Sequence, residues 1–344
     1  MNTMARDSFH KPAMDERPLW DVIRGALTYY AVMVAHNLRL FPLLAAGPRT
    51  TLEVCEALNI ERRPATSLLT TCVAAGLVTA QDGLYQLAPV AEVYLLEGSP
   101  YYFGSFLDML TVTDEVLSFQ ALKQAVLTNK SQVYGGDDPF MPREEMMSRV
   151  RVFANGMYGH SAGAAFTWPE LVDLTDCQTL LDVGGGSGAH SIGAASHWQN
   201  LNAVIFDLPP VCEVAMEFIT RAGLDRRIST HAGDLWNDRF PDADAHFYAD
   251  IFHDWPPEKC LFLARKSFDS LSPGGRILIH EMLYDRDKAG PLMTAAYSVA
   301  MMLWTEGEQY TGGELAAILA EAGFVEIEVK PGLGYWSIVI GRKR

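Results

Sequence analysis

Basic residues are scarce in this chain: 27 Lys and Arg stand against 42 Asp and Glu, for a formal net charge of -15. Binding to phosphate needs a basic footprint, so this balance argues against a nucleic-acid partner and leaves small-molecule substrates open. Cysteine is sparse too. The five residues, Cys55, Cys72, Cys177, Cys212 and Cys260, are scattered, odd in number and lack a CxxC pair. They read as the reduced thiols of a cytoplasmic protein. No apolar run approaches the ~20 residues of a membrane span, and Met1 to Asp15 is polar with no secretory core. Repeats and low-complexity tracts are absent as well. What is present is an ordinary globular composition, 344 residues of which 49% are hydrophobic, long enough for about two domains.

The most informative stretch is Leu180-Leu181-Asp182-Val183-Gly184-Gly185-Gly186-Ser187-Gly188, an apolar run that ends in an acid and a glycine-rich turn. A helix over 189–198 is expected to follow, and then a second apolar run, Ala203-Val204-Ile205-Phe206, ending in Asp207. This strand, loop, helix, strand unit suits a nucleoside. The glycines let backbone approach the ligand, and an acid at the second strand's end can accept both ribose hydroxyls. Nicotinamide enzymes use a similar loop. Here the glycines follow a GxGxG spacing at 184, 186 and 188. Asp182, directly before the turn, would repel a pyrophosphate and suits a ligand with a cationic amino group and a sulfonium.

The pattern divides the chain near residue 150. Residues 1–150 read as mostly helical. Helices are expected over 20–40, from Thr50 or Thr51 with Glu53 or Val54 at the third position, and over Pro64 to Ala75 with Gly76 as C-cap. The turn Gln81-Asp82-Gly83 between two short apolar segments signals a hairpin. Helix, helix, hairpin is a winged-helix pattern. Its second helix, as bounded here, carries no Lys or Arg, so packing or dimerisation is a better use for it than reading DNA. Residues 151–344 alternate. Strands are expected over 179–183, 202–207, 228–232, 245–251, 276–282, 325–330 and 335–341, and helices over 189–198, 210–223, 257–271, 291–304 and 312–322. That alternation predicts an α/β, Rossmann-like, doubly wound and mainly parallel sheet, closed by an antiparallel hairpin. Ligands in such sheets bind at the carboxyl ends of the strands.

Candidate chemistry falls at those ends. The fourth strand runs into Asp250-Ile251-Phe252-His253-Asp254-Trp255-Pro256, and a His beside a nucleoside site is a natural proton acceptor. The fifth ends in His280-Glu281. Neighbouring strand ends would put Glu281 against the His253 imidazole, fixing its tautomer and stabilising its cation. His280 and Glu281 point to opposite faces, so only one should reach the site. No HxH or HExxH spacing supports a metal. Gly233-Asp234-Leu235 follows the third strand. Asp234 can accept from the exocyclic amino group of adenine, with Leu235 on one ring face and Trp255 on the other.

These motifs, with Phe206-Asp207-Leu208-Pro209, Phe153 to Met157 and His160-Ser161, resemble the S-adenosylmethionine-dependent small-molecule O-methyltransferases of the caffeate and hydroxyindole type. The similarity spans nearly the whole chain. It implies that Gly184, Gly186 and their neighbours, with Asp182, line the methionine part of the cofactor, and that Ser161 approaches its carboxylate. Asp207 and Leu208 would hold the ribose, and Gly233, Asp234, Leu235 and Trp255 the adenine. His253 would deprotonate the acceptor hydroxyl, oriented by Glu281 and Gln309. Met157, Phe153, Asp254 and Met301 would face the substrate. In this family the first domain forms an intertwined homodimer and closes part of the pocket. The chain departs from the family's plant members at three places. Gln309 stands where they carry a second acid beside the His, Ala249 replaces a cofactor-contacting Lys, and Leu235 replaces a Met. The neutral Gln309 keeps nitrogen or carbon open as acceptor atoms. A cofactor-sensing DNA-binding regulator is a reading of another class, and the acidic charge speaks against it.

Overall fold

The computed structural model describes residues 13–133 and 147–344. Most of the polar start, where no secretory core is expected, lies outside the described residues. Two compact units part between Ser99 and Pro100.

The first unit contains α1 (Arg17–Asn37), α2 (Leu40–Ala45), β1 (Arg49–Thr50), α3 (Thr51–Leu58), α4 (Arg62–Ala74), β2 (Val78–Gln81), β3 (Leu84–Leu87) and α5 (Pro89–Tyr94). Its small sheet has the order β1-β3-β2. Thr50 caps α3 in a capping box: its hydroxyl accepts from the Glu53 N–H, and the Glu53 carboxylate accepts from the Thr50 N–H at 2.7 Å. Asp82 and Gly83 both take positive φ, 50° and 77°, which gives the tight two-residue hairpin loop that Asp-Gly announces. One boundary differs from expectation. α4 starts at Arg62, two residues before the expected Pro64, so both arginines of the segment lie in its first turn. A proline anywhere in that turn sacrifices no helical hydrogen bond, so it does not mark the start. On α1, Leu19, Val22 and Leu27 are more than two-thirds exposed, and Trp20, Ile23 and Tyr30 are about half exposed. One apolar face of this helix is therefore uncovered among the described residues.

The second unit begins with α6 (Gly104–Val112), α7 (Phe119–Thr128) and α8 (Met147–Ala165). The sequence pattern places residues up to 150 with the first domain. Here α6 and α8 pack on each other, and α8 also packs on helices of the large sheet. That sheet follows: β4 (Thr179–Val183), α9 (Ala189–His197), β5 (Asn202–Asp207), α10 (Pro209–Arg221), β6 (Ile228–Ala232), β7 (Ala245–Ala249), α11 (Pro257–Ser270), β8 (Arg276–Met282), α12 (Leu292–Trp304), α13 (Gly312–Ala322), β9 (Val325–Pro331) and β10 (Trp336–Arg342). The order is β6-β5-β4-β7-β8-β10-β9. β10 alone runs against its neighbours. Alternate residues of each strand feed two cores. Leu180 and Phe247 pack with Trp168 and Ile192 on one face, and Leu181 and Tyr248 pack with Phe252 and Leu263 on the other. The order reverses between β4 and β7, which opens a crevice at their carboxyl ends.

The helix after the glycine loop sits unusually close to α8. A Cβ at Gly193 would lie on the Ala165 carbonyl oxygen, with the Ala165 carbonyl carbon 2.7 Å away. Backbone cannot yield as a side-chain tip does. Gly193→Ala is therefore expected to destabilise the second unit by about 3 kcal/mol or more. Denaturant unfolding checks this, and a midpoint equal to wild type would contradict the contact.

Candidate active site

Five strand ends, those of β4 to β8, supply the candidate residues. After β4, Gly184, Gly186 and Gly188 hold φ values of 69°, 55° and 77°, a conformation that side chains resist. At the end of β5, the Asp207 carboxylate accepts from the Gly186 N–H at 2.9 Å and from the Leu208 N–H at 2.7 Å. It thus ties the glycine loop to the next strand. A Cβ at Gly186 would meet nothing nearer than the Gly184 carbonyl oxygen at 4.0 Å, so one side of the loop is open. Burial pushes the Asp207 carboxyl up to about 6 against those two hydrogen bonds. Asp182 lies beneath the loop. Its carboxylate accepts from the Ser191 hydroxyl at 2.6 Å, and a Cβ at Gly185 would come within 2.7 Å of its Cγ. Its burial is nearly complete and pushes it up to about 7.

Beyond β6, Asp234 accepts from the Trp236 N–H at 2.8 Å and from the Asn237 side-chain amide at 2.6 Å. Its carboxylate therefore shapes its own loop after Gly233. Leu235 is half-buried next to it. Trp255 is buried, with Trp236 edge-on at 4.8 Å and the Lys259 ammonium 4.5 Å from its ring centroid. On α8, Phe153, Met157 and Ser161 recur every four residues and share one face. Exposure falls along that face, from the exposed Phe153 to the buried Ser161. Phe153 meets Trp304 of α12 at 6.3 Å between ring centroids, and Met301 is buried one turn earlier on that helix.

His253 sits in a short 3-10 turn, Phe252–Asp254, directly after β7. β7 and β8 are parallel neighbours, so their ends bring His253 and Glu281 together. One Glu281 oxygen accepts from the main-chain N–H groups of Ile251, Phe252 and His253 at 3.2, 2.9 and 3.4 Å. The other oxygen lies 3.1 Å from His253 Nδ1. The Gln309 side-chain amide reaches the same Nδ1 at 2.8 Å. When Nδ1 carries the proton that it donates to Glu281, the amide must turn its oxygen to the ring. Nε2, on the far side of the ring, lies 3.6 Å from Asp254 Oδ1. Burial opposes a charged imidazole, but the Glu281 carboxylate outweighs it, helped by Asp254 and Asp250, and raises His253 to about 10. Burial raises Asp254 to about 7. His280 turns to the opposite face and stacks on Trp336 at 4.8 Å.

Three members of this cluster have no catalytic role assigned from the sequence. Asp250 is buried at the end of β7, where its φ of 54° ends the strand two residues earlier than expected. His160 lies 3.4 Å from Asp250 Oδ2, and the Tyr297 hydroxyl lies 3.3 Å from His160 Nε2. Asp250 and His160 stand in the runs already singled out, yet nothing in a strand pattern says that a side chain will turn inward from a left-handed residue. Asp250, His253 and Glu281 offer donor atoms within 4.8 Å of one another. A proton on His253 would give these carboxylates a positive charge to face.

A glycine loop bound to the acid of the next strand, at the switch point of this seven-stranded sheet, is a nucleoside site, and here it is that of an S-adenosylmethionine-dependent methyltransferase. More particularly, the chain belongs to the O-methyltransferase family: residues 119–325 match its O-methyltransferase domain and residues 20–97 its O-methyltransferase dimerisation domain. A 3-hydroxy-5-methyl-1-naphthoate 3-O-methyltransferase of Streptomyces sahachiroi is 34% identical over 313 residues, 90% of this chain and 89% of its own. The acetylserotonin O-methyltransferase of Bos taurus is 30% identical over 340 residues, 94% of this chain and 97% of its own. The crystal structure of human N-acetylserotonin methyltransferase in complex with S-adenosylmethionine is similar with a TM-score of 0.82 at 26% identity, covering 97% of this chain and 99% of that one. The donor set suits this cofactor. Asp207 has acceptor capacity beyond its two backbone bonds, Gly186 leaves an open side, and Asp250 holds a buried carboxylate oxygen without a hydrogen-bond partner.

Proposed function

We propose that this protein methylates a hydroxyl of a small aromatic or enolic acceptor, with His253 as general base. The observation that carries the reading is the fixation of His253: Nδ1 faces Glu281, itself pinned by three main-chain donors. Nε2 is thereby the nitrogen free to take a proton. Bound S-adenosylmethionine supplies an electrophilic methyl group. The chain aligns the acceptor with it and removes the hydroxyl proton as attack proceeds. In this reading Gly184 and Gly186, above Asp182, line the methionine part, and Ser161 approaches its carboxylate. Asp207 and Leu208 hold the ribose. Gly233, Asp234, Leu235 and Trp255 surround the adenine, with the lone pairs of Asp234 that its loop leaves free as acceptors. Gln309 orients His253. Phe153, Met157, Asp254 and Met301 face the acceptor, which a pocket rich in aromatic and methionine side chains would suit as a flat ring system. Methyl transfer to a panel of phenols and enols tests the reading. A product methylated on nitrogen or carbon, for which the neutral Gln309 leaves room, would overturn the hydroxyl assignment.

The protein works as a homodimer, and the uncovered apolar face of α1 supports that use of the first unit. Its partners include neither nucleic acid nor membrane. No helix among the described residues is long and apolar enough to cross a membrane, and all five cysteines are free thiols, which supports a cytoplasmic setting. No metal is required. Activity is expected to withstand exhaustive dialysis against EDTA. Loss of turnover that a divalent cation restores would instead assign a metal role to Asp250, His253 and Glu281.

A further inference from the structure

The reaction leaves His253 charged. The acceptor O–H bond breaks, Nε2 gains the proton, and a buried imidazole becomes an imidazolium. Two groups touch Nδ1, and only one of them, Glu281, carries charge; Gln309 is neutral. A second buried carboxylate stands nearby. Asp250 Oδ1 lies 3.8 Å from Nδ1 and has no hydrogen-bond partner, while Oδ2 lies 3.4 Å from His160 Nε2. At that distance, shielded from water, a carboxylate stabilises a cation without a hydrogen bond. Its placement depends on the left-handed backbone at Asp250, a conformation that persists in a non-glycine residue only where its surroundings hold it. His160 provides that hold. It is buried and fixed by the Tyr297 hydroxyl, with Phe106 and Trp336 against its ring at 4.8 and 5.2 Å.

We propose that Asp250 is a positioning residue for His253, the second carboxylate facing its imidazolium, kept in place by His160. This rests on His253 being the base. The charged and titratable groups around the pair come from four elements and the turn after β7. Asp254 of the turn and Glu281 of β8 face His253, Tyr297 of α12 meets its ring, and His160 of α8, His190 of α9 and His280 of β8 lie around Asp250.

The test uses Asp250→Asn alone and combined with Gln309→Glu. Asparagine keeps the shape and tolerates left-handed φ, and unchanged affinity for S-adenosylhomocysteine shows that the fold survives. His253 is followed by imidazole ¹⁵N NMR against pH, alongside the pH profile of kcat. In Asp250→Asn the His253 titration and the acid limb of kcat are expected to move down by about one pH unit, with kcat about tenfold lower. Gln309→Glu, which restores a carboxylate at Nδ1, is expected to reverse all three. An unmoved titration, or a loss of kcat that Gln309→Glu leaves unrepaired, would overturn the proposal. Full turnover in His253→Ala would overturn the base assignment, while the NMR titration still reports whether Asp250 acts on the ring.

Discussion

His253→Ala is expected to lower turnover by roughly 10²–10⁴ and to leave affinity for S-adenosylhomocysteine nearly unchanged. The two effects separate because the groups that fix His253, Glu281 and Gln309, are distinct from those assigned to the nucleoside, Asp207 and the glycine loop. Alignment by the rest of the site survives the substitution, so residual activity above background is expected too. The same assignment carries a pH dependence with a defined sign. A base works only when neutral, and in the free enzyme Glu281 holds the imidazole protonated up to about 10. A cation bound beside it repels the imidazolium and lowers that value. The acid limb of kcat, measured with cofactor bound, is therefore expected at lower pH than the limb of kcat/KM for the cofactor. Coincident limbs, or wild-type turnover in His253→Ala, would defeat the assignment.

The second large effect belongs to Asp207. Asp207→Ala removes the proposed partner of the ribose hydroxyls and also the acceptor that ties the Gly186 and Leu208 N–H groups to the end of β5. Hydrogen bonds to a charged group are worth about 1.5–3 kcal/mol each. Loss of such a contact corresponds to about 100-fold weaker cofactor binding, measured by calorimetric titration with S-adenosylmethionine and its demethylated product. Asp207→Asn keeps one acceptor and the shape, and is expected to lie between wild type and Asp207→Ala. Unchanged affinity in Asp207→Ala would refute the ribose role.

Much of the second unit was readable before its structure. β8 shows why: after Pro273-Gly274-Gly275 its middle, Ile277-Leu278-Ile279, is uninterruptedly apolar, as strands covered on both faces must be. The adjacency of β7 and β8 then brings Glu281 to His253. What escaped the sequence depends on three-dimensional context. A mostly helical reading up to residue 150 does not say which core each helix joins, so the division at Ser99 is not legible in the sequence. Proline hid the start of α4 because the first turn tolerates it. The inward turn of Asp250 rests on a single backbone angle, and the hold of His160 on it joins residues 90 positions apart in the chain. No local signal carries either.

The elements that supply the site divide by task. The groups that fix the base stand on strand ends and the turns beside them: Asp250 and His253 after β7, Glu281 on β8, Gln309 before α13. The side chains assigned to the acceptor stand mainly on two helices, Phe153 and Met157 on α8 and Met301 on α12. Under this assignment substrate choice can drift by exchanging those three side chains, provided that His160 and Tyr297, which stand on the same two helices and reach Asp250, are kept. For engineering, saturating Phe153, Met157 and Met301 is the route to new acceptors that leaves the chemistry untouched.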